Sequence, residues 1–306
     1  MTSKVVETKL GTKPLVSILM NCFNGEKYLR EAIDSVIAQT YTNWEIIFWD
    51  NQSTDSTTSI VKSYNDPRIR YFYAPTHTLL YEARNYAFVK ASGELVAFLD
   101  VDDSWAPEKL QGQVPLFLNP KVGFACSNYW IEDQLKDKRW LAFKKIVPSG
   151  KVLNTLLRYY YVGLVTLIVR RSALSPQYPP FNPRFHIIGD FDLVIRLAAV
   201  WDLTYTHEPL AVYRIHGDNE SIKRQELLIL ELEYWVNEKS KDGLIANACS
   251  HGSLEVYLNY SKASQAMLCS NRAEAFSFMQ RMPWCYLKGK VLFGLMLPTK
   301  LVQKIL

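Results

Sequence analysis

The chain has 306 residues, 48% of them hydrophobic, with 35 Lys and Arg against 30 Asp and Glu. This composition excludes a disordered or low-complexity protein and supplies apolar mass for a large α/β domain with an appendage. The formal charge of +5 is too small to indicate a nucleic-acid binder, and its sign suits anionic small ligands or an anionic membrane surface.

Residues 1–14 lack the apolar run of a signal peptide, and no apolar stretch approaches the ~20 residues that span a bilayer. The five cysteines, Cys22, Cys126, Cys249, Cys269 and Cys285, form no CxxC pair. They are expected as free thiols in a reducing compartment, which makes the expected protein cytoplasmic, able to work at the inner face of the membrane.

From residue 15 the pattern alternates. "LVSILMNCF" (15–23) predicts a buried strand, and "EKYLREAIDSVIAQT" (26–40) a helix with Leu29, Ile33, Val36 and Ile37 on one face. Strands are predicted at 44–50, 68–74 and 94–100. Helices are predicted at 53–64, capped by Ser53 or Thr54, and at 80–91. Such alternation predicts a doubly wound parallel sheet, whose ligands bind at the carboxyl ends of the strands. Asn21, Phe23, Asp50, Asn51, Asp100, Asp102 and Asp103 all fall at such ends. Further on, a helix is predicted at 107–118, a strand at 121–132, an exposed connection at 133–145, a helix at 151–160 and a strand near 164–170. A Pro-rich loop at 175–185 and a helix at 190–200 follow, with helices throughout from 222.

"DVDD" places three carboxylates in four positions, which is unfavourable unless water or a cation compensates them. On an extended segment, Asp100 and Asp102 face the same side. Mg²⁺ or Mn²⁺ takes this type of ligand together with substrate phosphate oxygens. A solvated strand end with a capping Asp103 or Ser104 is the equal alternative at this level.

The ordered motifs "VSILMNCFNGEKYLREAIDSVIAQTY", "WEIIFWDNQSTDST", "EARNYA", "GELVAFLDVDDSWAPEKL", "GDFDLVIRLA" and "EPLAVYRIHGDNES" resemble the family 2 glycosyltransferases over residues 16–221. The resemblance implies a GT-A fold: a Rossmann-like, mostly parallel sheet flanked by helices, here with a helical C-terminal extension. It implies transfer of a sugar, with inversion, from a nucleotide-diphosphate sugar to a hydroxyl of a glycan or lipid-linked acceptor, as in surface polysaccharide biosynthesis. The implied cofactor is a divalent metal, Mn or Mg.

Carried over by position, Asp102 is the metal ligand, with Asp100 beside it and near the ribose, while Asp103 is structural. Asp50 and Asn51 match residues that reach the nucleoside, and Asn21 and Phe23 match residues near the base. Asn51 is equally an Asx-turn residue. Arg84, on a helix near the crevice, is expected to neutralise phosphates or pair with the acidic cluster, His216 is implied to reach the metal or the departing diphosphate, and Asp190 stands where the catalytic base is found. Asp190 also fits a helix N-cap, and Asp192 a pair with Arg196. Three positions depart from the family pattern: "DNQS" replaces Asp-Asp-Gly-Ser, Tyr86 stands for a Gly, and Gly189 for a Glu. The departures leave room for an inactive nucleotide-sugar-binding protein of the same fold. A haloacid-dehalogenase-type phosphohydrolase is set aside, because the first strand ends in "NCFNG" and not in a DxDx[TV] pattern.

The expected organisation is an extension at 1–14, a GT-A domain at 15–221 divided into a nucleotide-binding half (15–105) and an acceptor half (106–221), and a helical region at 222–306. Residues 281–306 carry Arg281, Lys288, Lys290, Lys300 and Lys304, no acidic residue, and Trp284, Tyr286 and Phe293. This pattern suits either an interfacial helix on an anionic leaflet or a packed terminal helix.

Overall fold

Near-continuous runs of Val, Ile, Phe and Trp bury both faces of the first strands, as a sheet covered on both sides requires. In the computed structural model, which describes residues 13–174, 179–239, 245 and 253–297, β1 (Val16–Cys22) and β2 (Trp44–Asp50) are buried at every position. With β3 (Ile69–Tyr73) and β4 (Leu95–Phe98) they form a parallel block in the order β3-β2-β1-β4. Helices α1 (Leu29–Ile37), α2 (Thr57–Lys62) and α3 (Leu80–Lys90) make the crossovers.

Beyond β4 the sheet becomes mixed. β5 (Ser104–Trp105), β6 (Val122–Asp133), β7 (Lys138–Leu141), β8 (Ile168–Arg170) and β9 (Asp202–Ile215) extend the order to β4-β8-β6-β9-β5, with β7 on β6. β8 is antiparallel to both β4 and β6, whereas β6 and β9 run parallel. The path from β4 to β9 passes through α4 (Lys109–Gln113), α5 (Leu153–Arg158) and α6 (Gly189–Ala198).

Several expected elements are corrected. Helix α1 starts at Leu29, and Ile37 is exposed while Ala32 takes a buried place. Helix α2 starts at Thr57, not after Ser53, because the backbone N–H groups of Ser53, Thr54, Ser56 and Thr57 are taken up by the Asp50, Asn24, Glu26 and Asp55 side chains. The helix expected at 107–118 gives way to a 3-10 turn at Val114–Leu118, where Pro115 has no N–H to continue an α-helix. The connection expected at 133–145 contains β7, paired to β6 as a hairpin.

Glu45 stitches the parallel block from within. Its carboxylate accepts from Ser17 Oγ at 2.7 Å, from the N–H and Oγ of Ser92, and from Arg70. Burial pushes this carboxyl up, but the donors outweigh burial and hold it at about 2.

The chain divides into two compact units, Met1–Val152 with Tyr161–Asn219, and Leu153–Tyr160 with Glu220–Leu306. The second unit is helical: α7 (Glu220–Lys223), α8 (Gln225–Lys239), α9 (Ser253–Leu268), α10 (Arg272–Gln280) and α11 (Tyr286–Leu295). Ala263, Ala266, Met267, Ala275, Met279 and Val291 form its core. Helix α11 therefore packs through Val291, while Trp284, Phe293 and Met296 are exposed. The N-terminal extension up to residue 12, residues 175–178 of the Pro-rich loop, Cys249 and the tail from 298, including Lys300 and Lys304, lie outside the described residues. Among the described residues, no helix is long and apolar enough to cross a membrane, and Cys22, Cys126, Cys269 and Cys285 are free thiols.

Lys109 is fully buried in the first unit, its Nζ donating to Gln113 Oε1 at 2.7 Å and lying 4.2 Å from the Trp105 ring centroid. Burial pulls its ammonium down to about 7. Between about pH 7 and the ordinary lysine value the unfolded chain binds the extra proton, so stability rises with pH across that window. Lys109→Met is expected to stabilise the protein at pH 7 by about 1–3 kcal/mol. It should also flatten the dependence of urea unfolding between pH 7 and 9, and a slope equal to wild type would contradict the assignment.

Candidate active site

The three carboxylates of "DVDD" sit just beyond β4, in the turn leading to β5, and each meets a different partner. Arg84, buried on α3, places Nη2 2.5 Å from Asp100 Oδ1. His216, just after β9, places Nε2 2.9 Å from Asp102 Oδ2. The backbone N–H of Arg214 donates to Asp103 Oδ1 at 2.9 Å. The guanidinium of Arg214 donates to Asp102 O and Glu31 Oε1 and lies over the Tyr28 ring. Compensation expected from water or a metal is thus supplied in part by the protein itself.

Burial pushes the Asp103 carboxyl well above the usual carboxylate range, and the charges of Asp102 and Asp100 push it further. Burial and then Asp100 also raise Asp102, against the lowering effect of His216. The His216 ring has a defined orientation: Nδ1 accepts from Asp218 N–H at 3.1 Å, which leaves the proton of the neutral ring on Nε2, facing Asp102. Asn219 closes this turn, accepting from His216 N–H and donating to Arg214 O. Asn219 carries no motif signal beyond its place in "GDNES".

With the proton on Nε2, the 2.9 Å between His216 and Asp102 Oδ2 is a hydrogen bond, and the lone pairs that suit a divalent cation are those of Asp102 and Asp100. Among the described residues, no group of three or more His, Cys, Asp or Glu side chains is arranged to hold a metal. A cation on this pair would therefore take further ligands from phosphate and water, the usual habit of Mg²⁺.

Asp190 occupies the first turn of α6. The N-cap position belongs to Ile188, and the Asp190 carboxylate faces the backbone N–H groups of its own residue and of Phe191. The carboxylate also accepts from the Tyr81 hydroxyl at 3.0 Å. Burial raises its pKa, with Arg84 and the Tyr81 hydrogen bond pulling the other way. Asp192 pairs with Arg196 at 2.8 Å. Asn85 clamps the loop before α6 by exchanging hydrogen bonds with both backbone groups of Phe181, and the Phe181 ring packs on Tyr81 and Phe98.

At the ends of β1 and β2, Phe23 is 53% exposed, with its ring 4.5 Å from that of His77, for which the sequence carries no signal. Asn51 Nδ2 donates to Thr78 O, and Asn51 Oδ1 accepts from Thr78 N–H. Asp50 accepts from Ser53 N–H, Thr58 Oγ1 and Tyr71 Oη. Both side chains are engaged within the protein. Asn21 is buried at the end of β1 with neither amide atom hydrogen-bonded. Gln52 replaces the family's Gly at φ +71°, and its amide donates to Pro75 O. Tyr86 stacks on Trp49, ring centroids 5.5 Å apart.

Comparison with known proteins bears on the family and the fold. The glycosyl transferase family 2 model matches residues 17–172, about half of the chain. The chain is 34% identical over 167 residues to the Escherichia coli UDP-Glc:alpha-D-GlcNAc-diphosphoundecaprenol beta-1,3-glucosyltransferase WfgD, covering 55% of this chain and 64% of that protein, just under two thirds of its length. It is 32% identical over 212 residues to TuaG of Bacillus subtilis, a protein named for teichuronic acid biosynthesis, covering 68% of this chain and 82% of that one. Among solved structures, S. aureus TarS 1-349 in complex with UDP-GlcNAc superposes with a TM-score of 0.58 at 17% identity, covering 95% of this chain and 90% of that one. The mannosyltransferase PcManGT from Pyrobaculum calidifontis, in complex with GDP-Man and Mn2+, superposes with a TM-score of 0.60 at 16% identity, covering 96% and 84%. At such identities the structural likeness speaks for the fold alone. The chain belongs to glycosyl transferase family 2 and has the GT-A fold with a helical C-terminal region.

Proposed function

We propose that this protein is a metal-dependent, inverting glycosyltransferase that moves a sugar from a nucleotide diphosphate to a hydroxyl of a glycan or lipid-linked saccharide in surface polysaccharide synthesis. The observation that carries the reading is the pairing of Asp102 with His216 and Asp100 with Arg84 at the strand ends of a family 2 fold. Relatives named for UDP-glucose transfer to a diphosphoundecaprenol-linked sugar make UDP-glucose the first donor to test.

In this reading Asp102, with Asp100 beside it, would hold the cation, which would supply Lewis-acid stabilisation of the leaving diphosphate, and His216, whose Nε2–H faces Asp102, would meet the diphosphate as a donor. Phe23, Asn21, Asp50 and Asn51 form the nucleoside end, and Arg84 adds fixed positive charge near the phosphates. Asp190 takes the proton of the acceptor hydroxyl as its oxygen attacks the anomeric carbon from the face opposite the nucleotide. The bond from that carbon to the diphosphate oxygen breaks, and its electron pair leaves with the diphosphate. A base raised above the ordinary Asp range by burial is better matched to neutral pH.

The domain limits 1–14, 15–221 and 222–306 belong to the same proposal, with the exposed Trp284, Phe293 and Met296 beside Lys288 and Lys290 touching an anionic leaflet at the inner face. No nucleic-acid partner is proposed.

Three outcomes are expected. UDP-glucose should raise the melting temperature more with Mn²⁺ than with chelator, and Asp102→Asn should remove the metal-dependent part; equal shifts in both conditions would contradict metal dependence. Asp190→Asn should lower transfer by about 10²–10⁴-fold while sparing donor binding, whereas unchanged transfer would remove Asp190 as base. In co-sedimentation with anionic vesicles, Trp284→Ser with Phe293→Ser should reduce the bound fraction, and unaltered binding would assign these residues elsewhere.

A further inference from the structure

We propose that Tyr81 is the positioning residue of this site: its hydroxyl holds the Asp190 carboxyl group in both protonation states, in the space that Gly189 leaves open. The inference rests on Asp190 being the base and adds a residue that no motif of the sequence points to.

Tyr81 lies in the first turn of α3 and is 3% exposed. Its hydroxyl lies 3.0 Å from Asp190 Oδ1 and 2.9 Å from Ile187 O, so one proton faces two acceptors. While Asp190 is ionised, the charged oxygen is the stronger acceptor and takes the phenol proton. Once Asp190 has received the acceptor's proton, its own O–H donates to Tyr81 Oη, and the phenol proton rotates toward Ile187 O. The phenol proton stays on Tyr81 throughout, and only a turn about the C–O bond is needed. The Asp190 carboxyl group thus keeps its bond to Tyr81 in both states, which spares it the cost of an unmade hydrogen bond. Burial holds the Tyr81 phenol well above its ordinary value, so it remains a donor and does not compete as a base.

The ring reaches this place because position 189 has no side chain. A Cβ on Gly189 would lie 2.5 Å from Tyr81 Cδ2 and 2.6 Å from Cε2, closer than packed atoms come. The ring is held on its other contacts by Phe181, with centroids 5.1 Å apart, and by the Arg84 guanidinium at 5.1 Å. The groups that bear on Asp190 from α3 are therefore Tyr81 and Arg84. On its own helix Asp192 is paired with Arg196, and His186 lies in the preceding loop.

The test uses the full chain with carboxyl-¹³C aspartate, the Asp190 resonance being assigned from Asp190→Asn. In Tyr81→Phe, which keeps the ring, that resonance should titrate about one pH unit higher than in wild type. The acid limb of kcat/KM for transfer from UDP-glucose with Mn²⁺ should move by the same amount, with the donor KM unchanged and His186→Gln leaving the limb in place. As a second measure, Gly189→Ala should lower the melting temperature in the wild-type background and not in Tyr81→Ala. An Asp190 titration unmoved by Tyr81→Phe, or an equal cost of Gly189→Ala in both backgrounds, would overturn the proposal. Full transfer by Asp190→Asn would instead overturn the base assignment and leave the titration result standing, so the two failures are distinct.

Discussion

Three carboxylates within four residues repel one another, and the rest of the site follows from how that repulsion is met. Asp100, Asp102 and Asp103 draw in Arg84 from α3, His216 from the turn after β9 and the backbone of Arg214 on β9. Arg214 and His216 lie more than a hundred residues beyond the carboxylates they meet, so the cluster binds the parallel block to the second half of the sheet. A buried charge pair adds little net stability over an apolar one, but removal of one partner leaves the other uncompensated. The arrangement is therefore specific rather than merely cohesive, and it leaves Asp102 and His216 side by side at the strand ends.

Aromatic packing governs the other side of the crevice. Phe181 touches Tyr81 and Phe98, and Asn85 fixes its backbone from both directions. The loop entering α6 is held through this ring, and with it the orientation of Asp190. Both acidic centres, the one after β4 and the one on α6, are thus set against the same helix, α3, which contributes Tyr81, Arg84 and Asn85 in adjacent turns.

The departures from the family pattern each have a local physical account. Gln52 adopts the left-handed conformation usual for glycine, at a cost of order 1 kcal/mol that its bond to Pro75 O offsets in part. Asn51 has both a donor and an acceptor, and it uses both on Thr78 in a way an ionised Asp could not. Tyr86 extends an aromatic stack over Trp49 and Phe72. Gly189 makes room for the Tyr81 ring.

The sequence by itself determined the alternation of strands and helices through residue 100, because near-continuous apolar runs and helical periodicity are local signals. It also determined the family, through ordered motifs in which Asp100, Asp102, Asp190 and His216 stand at recognisable positions. The switch to a mixed sheet was not legible, since the direction of β8 depends on pairings with β4 and β6 that lie far off in the chain. Nor were the partners of Asp190 and Asp103, or the engagement of Asn51 and Asp50 within the protein. Tyr81, His77 and Asn219 look ordinary in one dimension, and their place depends on which distant atoms lie within about 3 Å of their polar groups. Only the tertiary structure decided that, because hydrogen bonds between remote segments form once the core has set the distances between them.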